Sequence, residues 1–460
     1  MASPNALTFN VTRQNPALIP PAQPTPYEFK PLSDIDDQEG LRFQFPVIQF
    51  YRRNPAMDGK DPVKVIHVAV ARALVFYYPF AGRLREMADR KLVVECTGEG
   101  VLFIEADADV RLQQLGDSLH PPFPWLEELL YHVPGSDGVV NCPLLLIQVT
   151  RLKCGGFIFA VRLNHTMSDV FGLYRFLSTV GELARGAEIP SVLPVWQRHL
   201  LNARDPPHVS YTHHMYENTR ALIPLDIMVQ RSIFFGPAEI SALRHRLSPH
   251  LHHCTTFELL TACIWRCRTI AISPGPDEEV RIMCIINGRG LFNPPLPTGY
   301  YGNASAIPVA ISTAGNLCKQ PLDFALELVM KTKSEVTEEY IKSVADLMVI
   351  RGRPHFAVVQ TYIVSDVTHL GLEDIDYGWG KAVYSGPAKG GVGVIPGLTS
   401  FYIPFKNKKG ERGIIVPICL PANAMEVFVK EFQMMVKRED EDIASGVARK
   451  SSISIGRTRL

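Results

Sequence analysis

Leu-Asn-His-Thr-Met-Ser-Asp, residues 163–169, joins a run of apolar residues to a stretch with helical spacing. Residues 157–163 have the length and apolar character of a buried strand, and residues 170–186 repeat apolar side chains at the period of a helix. His165 is therefore predicted to lie where a strand ends and a helix begins. Rigid elements hold a side chain at such a junction and expose it at the end of a sheet, where α/β proteins commonly carry out their chemistry.

Imidazole is the side chain best suited to general-base catalysis near neutral pH. The helix after the junction directs the positive end of its dipole at His165, which disfavours the imidazolium form and keeps the base neutral. An H-x-x-x-D pattern by itself occurs roughly once by chance in a chain of this length. The alternative is a junction histidine that only bonds a nearby carboxylate, so the rest of the sequence has to distinguish the two.

Composition describes an ordinary globular protein of 460 residues, 46% hydrophobic and 20% charged. Its length predicts about two or three domains. The formal charge of +1 gives no general attraction to nucleic acid or to anionic lipid. Because the N-terminus lacks the basic and apolar regions of a secretory signal, and no apolar run reaches the length of a membrane span, we expect a protein that is neither secreted nor membrane-spanning.

Cysteine and histidine usage predicts neither disulfides nor a metal site. The chain has nine cysteines, an odd number with no C-x-x-C pair, which indicates reduced, packed thiols and a reducing compartment. Histidines cluster at residues 208–214 and 250–253, but no cysteine or carboxylate accompanies them at ligand spacing. The glycines of residues 390–393 match neither common nucleotide-loop pattern, and no G-x-S-x-G elbow is present.

Strands and amphipathic helices alternate in the first half of the chain. Asp61 is a predicted N-cap with proline behind it, and Pro46 suggests an edge or a bulge. The predicted elements are strands at 6–12 and 41–45, a helix at 62–78, a hairpin of strands 91–96 and 101–110, and a second hairpin of strands 144–152 and 157–163.

The second half repeats this mixture after residues 187–228, where five prolines interrupt the chain and indicate a domain crossover. The predicted elements are strands at 232–235, 280–286 and 356–364, helices at 255–272, 321–333, 336–349 and 422–436, and a hairpin of strands 398–405 and 413–420. Since hairpins and crossovers both occur, the sequence predicts two α/β domains with mixed sheets rather than one doubly wound sheet.

A second motif, Asp-Tyr-Gly-Trp-Gly at residues 376–380, follows the histidine motif. The two together resemble the plant acyl-CoA-dependent acyltransferases called the BAHD family, whose marks are H-x-x-x-D and D-F-G-W-G. Tyr377 replaces the usual phenylalanine and keeps the aromatic ring. Residues 78–84, Tyr-Pro-Phe-Ala-Gly-Arg-Leu, and 287–289, Asn-Gly-Arg, also resemble family segments, so the resemblance spans essentially the whole chain.

Three further segments, residues 32–39, 143–150 and 299–303, resemble the subgroup of benzyl alcohol benzoyltransferases and fruit-ester alcohol acyltransferases. This resemblance implies transfer of the benzoyl group from benzoyl-CoA to benzyl alcohol, with acyl-CoA as a co-substrate, no bound cofactor and no acyl-enzyme. It also implies a monomer. The alternatives are an acetyl-CoA-using synthase of volatile esters and, in a different class, a catalytically silent paralogue that binds ligands.

The resemblance implies a fold of two chloramphenicol-acetyltransferase-like domains with a channel between them. We expect an N-terminal domain at residues 1–190, a crossover linker at 191–228 and a C-terminal domain at 229–460. A segment at about 376–410 is expected to be exchanged into the first domain.

The resemblance also assigns roles to individual residues. His165 is expected to be the general base, while Asp169 turns away from the substrate, pairs with Arg289 and orients the histidine. Asp376 is expected to brace the junction of the domains more than to take part in the chemistry. The candidates for the oxyanion donor are Thr399 and Ser400.

Binding of CoA is expected to involve the start of the helix at residue 255, because free amides there suit a phosphate; a plain helix cap is the alternative. The candidate CoA-binding residues are Thr255, Thr256, Ser365, Asp366 and Lys381. The last three residues, Thr458-Arg459-Leu460, resemble a peroxisomal targeting tripeptide. We therefore expect the protein in the peroxisome or, if the tripeptide is only a polar tail, in the cytosol.

Overall fold

The structure, a computed structural model, describes residues 7–116, 119–217, 228–389 and 397–437. The strands are β1 (Val11–Arg13), β2 (Ala17–Ile19), β3 (Phe29–Pro31), β4 (Gln44–Tyr51), β5 (Arg83–Glu86), β6 (Leu92–Glu95), β7 (Val101–Ala108), β8 (Leu145–Leu152), β9 (Phe157–Asn164), β10 (Met228–Phe235), β11 (Glu279–Asn287), β12 (Ser305–Ala306), β13 (Val309–Thr313), β14 (Thr361–Asp366), β15 (Tyr384–Pro387), β16 (Thr399–Lys406) and β17 (Arg412–Pro421). The α-helices are α1 (Pro62–Phe76), α2 (Leu126–Leu129), α3 (Val170–Ala184), α4 (Pro237–His245), α5 (Thr256–Ile272), α6 (Ala314–Lys319), α7 (Leu322–Ser334), α8 (Glu338–Ile350) and α9 (Ala422–Val436).

The first sheet has the order β1-β7-β8-β9-β4-β15, with β2 also paired to β7. It is mixed, because β7 and β8 are parallel while the other pairs are antiparallel. Helices α1 and α3 bury their apolar faces in the core of this sheet through residues such as Val70 and Leu177. Each helix is capped by the residue that precedes it: the side chains of Asp61 and Asp169 accept backbone N–H groups in the first turns of α1 and α3.

The second sheet has the order β10-β17-β16-β14-β11-β12, with β13 also paired to β11. It is mixed too, since β11, β14 and β16 are parallel neighbours and the other pairs are antiparallel. Helices α5, α7 and α9 pack over a second apolar core that includes Trp265 and Phe428. The predicted fold class, α/β with two domains and mixed sheets, is confirmed.

The predicted hairpin of residues 91–96 and 101–110 is wrong. β6 pairs with β3 and β5 in a small three-stranded sheet, whereas β7 pairs with β1, β2 and β8 in the first sheet. The connection turns at Gly100, whose φ is +104°. A side chain there would meet the carbonyl oxygen of Ile19 at 2.1 Å, so glycine lets the chain pass close to β2 and leave the small sheet.

Strand β4 is longer than predicted and lies inside the first sheet, between β9 and β15. Pro46 neither ends the strand nor places it at an edge. Pro46 lacks an N–H group, but its carbonyl oxygen accepts the N–H of Ala388 at 3.2 Å. On the other side, Pro46 lies opposite Arg162, and the pairing of β4 with β9 continues past it.

One short strand from late in the chain joins the first sheet. β15 pairs with Val47–Phe50 of β4, while β16 pairs with β14 and β17 in the second sheet. Among the described residues of 376–410, strand β15 pairs with the first sheet and β16 with the second, and the exchange of the whole segment stays a prediction. Side chains of β16 alternate in direction, so Ile403 packs in the first core while Tyr402 packs in the second. The domain boundaries themselves stay a prediction.

No helix within the described ranges is both long enough and apolar enough to cross a membrane. The glycines at 390–393, the C-terminal tripeptide and residues 218–227 of the crossover lie outside the described residues.

Candidate active site

The histidine loop, residues 165–169, lies between the end of β9 and the start of α3. Asn164 holds its first turn, since its Oδ1 accepts the N–H of Thr166 at 3.2 Å and the Thr166 hydroxyl at 2.8 Å. At the other end, the Ser168 hydroxyl donates to the carbonyl oxygen of Tyr301 at 2.6 Å. Both hydroxyl groups of the loop are thus engaged in fixing its backbone.

His165 is partly exposed, and its imidazole contacts two phenyl rings. Its ring centre is 5.1 Å from that of Phe43 and 4.7 Å from that of Phe45. The backbone N–H of His165 donates to the carbonyl oxygen of Phe43 at 2.8 Å. Nδ1 lies 3.1 Å from Oδ1 of Asn303, whereas Nε2 has no hydrogen-bond partner among the described residues.

Burial lowers the pKa of His165 below its ordinary value of about 6.5. The backbone carbonyl of the residue, Asp169, Asn303 and Asp36 act in the opposite direction and do not outweigh burial. The imidazole is therefore neutral at pH 7, with a nitrogen lone pair ready to accept a proton.

Asp169 points away from the imidazole and forms a bidentate pair with Arg289. The two nitrogen–oxygen distances are 2.9 and 2.8 Å, and the carboxylate also accepts the N–H groups of Gly172 at 3.0 Å and Ala304 at 3.1 Å. Burial alone would raise the pKa of Asp169, but Arg289 and the two amides hold it below its ordinary range. The pair joins the histidine loop to the start of the segment that follows β11.

Residues 299–304 run directly beside the histidine loop. Arg289 donates to the carbonyl oxygen of Gly302 at 2.5 Å as well as to Asp169. Residues 299–304 also pass so close to the start of α3 that glycine is required at position 172. A Cβ atom there would lie 2.0 Å from the carbonyl oxygen of Tyr301. The segment thereby brings Asn303 to the imidazole.

Sequence reasoning missed three residues of the site: Asp36, Arg198 and Asn303. Arg198 and Asp36 form a buried ion pair at 2.7 Å, with side chains only 1% and 0% exposed. Arg198 also donates to the carbonyl oxygen of Met167 at 2.8 Å, inside the histidine loop. Asp36 and Asn303 lie in segments that the sequence marks only as family-like, since a lone aspartate or asparagine gives no local sign of the partner that it will meet.

Asp376 has a structural environment. Its carboxylate accepts the N–H groups of Gly378 and Gly380, each at 2.7 Å, and its carbonyl oxygen accepts from Arg185. The hydroxyl of Tyr377, which replaces the usual phenylalanine, donates to Gln49 of β4 at 2.9 Å. None of these bonds reaches the histidine loop.

The two candidate oxyanion donors differ in their hydrogen bonding. Ser400 is buried and donates its single hydroxyl hydrogen to the carbonyl oxygen of Pro417 at 2.5 Å, while accepting from Tyr362. Since its hydrogen is already engaged, Ser400 is unsuited to stabilise an oxyanion. The hydroxyl of Thr399 has no hydrogen-bond partner within the described ranges, so Thr399 stays the candidate.

The predicted CoA-binding residues lie at the start of α5, in β14 and in the segment before β15. Thr255 caps α5, because its hydroxyl accepts the N–H of Glu258 at 3.3 Å and its own N–H donates to the Glu258 carboxylate at 2.7 Å. Asp366 accepts from Thr368, and Lys381 pairs with Asp374 at 2.5 Å. Ser365 is buried in β14 and Thr256 is half-buried at the first turn of α5. These assignments stay predictions.

In the part of the chain that the structure describes, no group of three or more His, Cys, Asp or Glu side chains is arranged to hold a metal ion. The histidines near the crossover have other partners instead. His213 bonds the Ser343 hydroxyl at 2.8 Å, and His214 bonds Glu217 at 2.6 Å.

Comparison with curated proteins gives relatives along nearly the whole chain. The chain is 70% identical over 435 residues to a benzyl alcohol O-benzoyltransferase of Petunia hybrida, covering 94% of this chain and 95% of the relative. A benzyl alcohol O-benzoyltransferase of Nicotiana tabacum is 68% identical over the same shares of both chains. A (Z)-3-hexen-1-ol acetyltransferase of Arabidopsis thaliana is 57% identical, covering 92% of this chain and 95% of the relative.

Among solved structures, vinorine synthase superposes with a TM-score of 0.72 at 21% identity, covering 93% of this chain and 99% of that one. At this identity the likeness concerns the fold alone. The family model described as the transferase family matches residues 9–435. With a match of this extent and relatives of this identity, the chain belongs to that transferase family and is a BAHD acyltransferase.

Proposed function

We propose that this protein transfers the benzoyl group of benzoyl-CoA to benzyl alcohol and releases benzyl benzoate and CoA. The observation that carries the proposal is the environment of His165: a neutral, partly exposed imidazole that contacts Phe43 and Phe45 and whose Nε2 has no partner among the described residues. The identity of 70% to a benzyl alcohol O-benzoyltransferase supports the choice of substrates.

In the proposed reaction, Nε2 of His165 accepts the hydroxyl proton of the alcohol as the alcohol oxygen attacks the thioester carbonyl carbon. The carbon–sulfur bond of the resulting tetrahedral intermediate then breaks. The imidazolium returns the same proton to the sulfur, so the products are the ester and the free thiol. A base in this position contributes typically about 10²–10⁴-fold to the rate, because an alcohol is a weak nucleophile until its proton is removed.

No acyl-enzyme is needed for this reaction, and the hydroxyl groups of the histidine loop support a direct transfer. A serine or threonine nucleophile has to bond the base, but Thr166 donates to Asn164 and Ser168 donates to Tyr301.

We propose that alcohol and acyl-CoA reach the histidine through a channel between the domains. We assign the oxyanion contact to Thr399 as a proposal.

The phenyl rings beside His165 support an aromatic or otherwise apolar acceptor. Phe43 is half-buried and offers ring surface next to the base, while Phe45 is only 8% exposed and contacts the imidazole. Aromatic rings attract each other through offset or edge contacts at centroid distances of about 4.5–7 Å. A benzyl group placed near Nε2 would make such contacts.

A thiol-release assay with purified protein tests the proposal. With benzyl alcohol as acceptor, we expect benzoyl-CoA to be turned over at least about tenfold more efficiently than acetyl-CoA, in line with what an apolar pocket can discriminate. Mass spectrometry should identify benzyl benzoate as the product.

Faster turnover of acetyl-CoA would contradict the benzoyl assignment and favour the alternative, a synthase of volatile acetates, for which the likeness to the hexenol acetyltransferase is the support. Absence of CoA release with every acyl-CoA would contradict the enzymatic function and favour a silent ligand-binding paralogue. Protein without alcohol serves as the control for thioester hydrolysis.

The CoA contacts at Thr255, Thr256, Ser365, Asp366 and Lys381 belong to this proposal as predictions. The Glu258 carboxylate already accepts the N–H of Thr255 and would compete with a phosphate for this amide. Monomeric behaviour is likewise a proposal that rests on the family, and size-exclusion chromatography with light scattering measures it.

We also propose that the protein is directed to peroxisomes by Thr458-Arg459-Leu460, with the cytosol as the alternative. The support is the resemblance of this tripeptide to a targeting signal. A fluorescent protein fused in front of the full chain should form puncta that coincide with a peroxisomal marker, and deleting the three residues should make the signal diffuse. Puncta that persist after the deletion would contradict the proposal.

A further inference from the structure

A buried polar chain leads from the crossover to the imidazole. Arg198 donates to Oδ1 of Asp36 at 2.7 Å, and the same oxygen accepts the backbone N–H of Asn303 at 2.8 Å and its Nδ2 at 2.9 Å. Oδ1 of Asn303 then lies 3.1 Å from Nδ1 of His165. Asn303 is 3% exposed, so water has little access to the amide.

The partners of Asn303 determine which way its amide faces. Nδ2 lies near three acceptors: the Asp36 carboxylate, the carbonyl oxygen of His165 at 2.8 Å and that of Thr166 at 3.3 Å. If the amide were rotated by 180°, its oxygen would face these three acceptor oxygens, and no hydrogen atom would lie between them. The oxygen of the amide must therefore face His165.

An amide oxygen only accepts hydrogen bonds, so Nδ1 of His165 must carry a hydrogen. In a neutral imidazole the lone pair is then on Nε2. This is the nitrogen that the proposed reaction requires, and it is the one without a partner among the described residues.

We propose that Asn303 is a positioning residue that sets the tautomer of His165 and holds Nε2 as the base. The inference rests on the proposed acyl transfer, which it deepens. When Nε2 takes the alcohol proton, the Nδ1–H bond to Asn303 persists through the imidazolium stage, and the Nε2 proton then passes to the CoA sulfur. Asp36 acts behind Asn303 by fixing its orientation.

The two carboxylates near the imidazole are both neutralised. Asp169 is paired with Arg289, and Asp36 is paired with Arg198, so neither bonds the ring directly. A neutral amide orients the base here, where a carboxylate would stabilise the imidazolium far more. The imidazole therefore has a lower affinity for protons than it would beside a carboxylate. It stays neutral at pH 7, with a lone pair that can accept the alcohol proton.

The tautomer can be measured in the wild-type protein itself. We expect nitrogen-15 NMR of histidine-labelled protein to show His165 as the Nδ1–H tautomer at pH 7, with the signal assigned by its loss in His165→Gln. An Nε2–H tautomer would overturn the proposal. This measurement does not depend on activity, so a failure of the proposed function, seen as no thiol release by wild-type protein, is distinguishable from a failure of this inference.

The Asn303→Leu variant tests the same idea in turnover. Without Asn303 the imidazolium loses one of the groups that stabilise it, so the acid limb of the pH profile of kcat/KM should move to lower pH by about one unit. We expect kcat to fall about 100-fold while KM for the alcohol changes less than about threefold.

Ser343→Ala is the matched control, because it removes a buried hydroxyl that bonds His213 and accepts the N–H groups of Ser210 and Tyr211 rather than contacting the histidine loop. It should leave the acid limb in place. A folded Asn303→Leu protein whose kcat falls without movement of the limb would overturn the proposal. If that variant does not fold, the wild-type tautomer alone decides the question.

Discussion

Replacing His165 by alanine is expected to lower kcat for ester formation by about 1,000-fold or more, since general-base catalysis contributes typically about 10²–10⁴-fold. No neighbouring hydroxyl or thiol is expected to take over, because both hydroxyls of the histidine loop donate to other groups. The measurement is thiol release with benzoyl-CoA and benzyl alcohol. Calorimetry should show that the variant still binds CoA.

His250→Ala is the matched control, because this histidine has a side chain that is 67% exposed and contacts Glu327 on the surface. It should retain wild-type turnover. If His165→Ala keeps more than about a tenth of wild-type kcat, the assignment of the base is wrong.

The second large effect is expected from Asp169→Asn, which keeps the shape of the side chain and removes its charge. Arg289 then lacks its partner, and the amide nitrogen of the new residue faces either the guanidinium or the N–H groups of Gly172 and Ala304. Breaking a buried pair in this way costs about 3–5 kcal/mol of unfolding free energy. The histidine loop also loses its anchor, so kcat should fall about 100-fold.

Urea denaturation of the wild-type protein and of Asp169→Asn at several pH values measures the loss of unfolding free energy. The pKa of Asp169 is held below its ordinary value, so the stabilisation is fully present above about pH 4, the unfolded value, and declines as pH falls through the native pKa. The difference between wild type and variant should therefore shrink in acid.

Asp58→Asn is a matched control, since Asp58 pairs with Arg53 through two bonds on the surface, where the side chains are 51% and 55% exposed. An exposed pair is worth less than about 1 kcal/mol, so its loss should scarcely move the midpoint. A wild-type unfolding curve for Asp169→Asn would show that the Arg289 pair does not stabilise the fold.

Local signals in the sequence predicted the elements that carry the histidine loop. The apolar run before His165 forms β9, and the apolar period after Asp169 forms α3. The same is true of the capping box that opens α5 at Thr255. Strand pairing was predicted less well from the sequence. The turn residues between β6 and β7 indicate a change of direction, but they do not show which strands become neighbours.

The sequence by itself determined that His165 lies between a strand and a helix, that Asp169 caps this helix and, through its motifs, the family. Only the tertiary structure decided that β15 joins the first sheet, that Ser400 is engaged by Pro417, and that Asp36 and Asn303 meet beside His165. Asp36 and Asn303 are 267 residues apart in the chain. Periodicity and capping act within one or two helical turns, whereas a buried polar contact depends on which surfaces the packing of the two cores brings together.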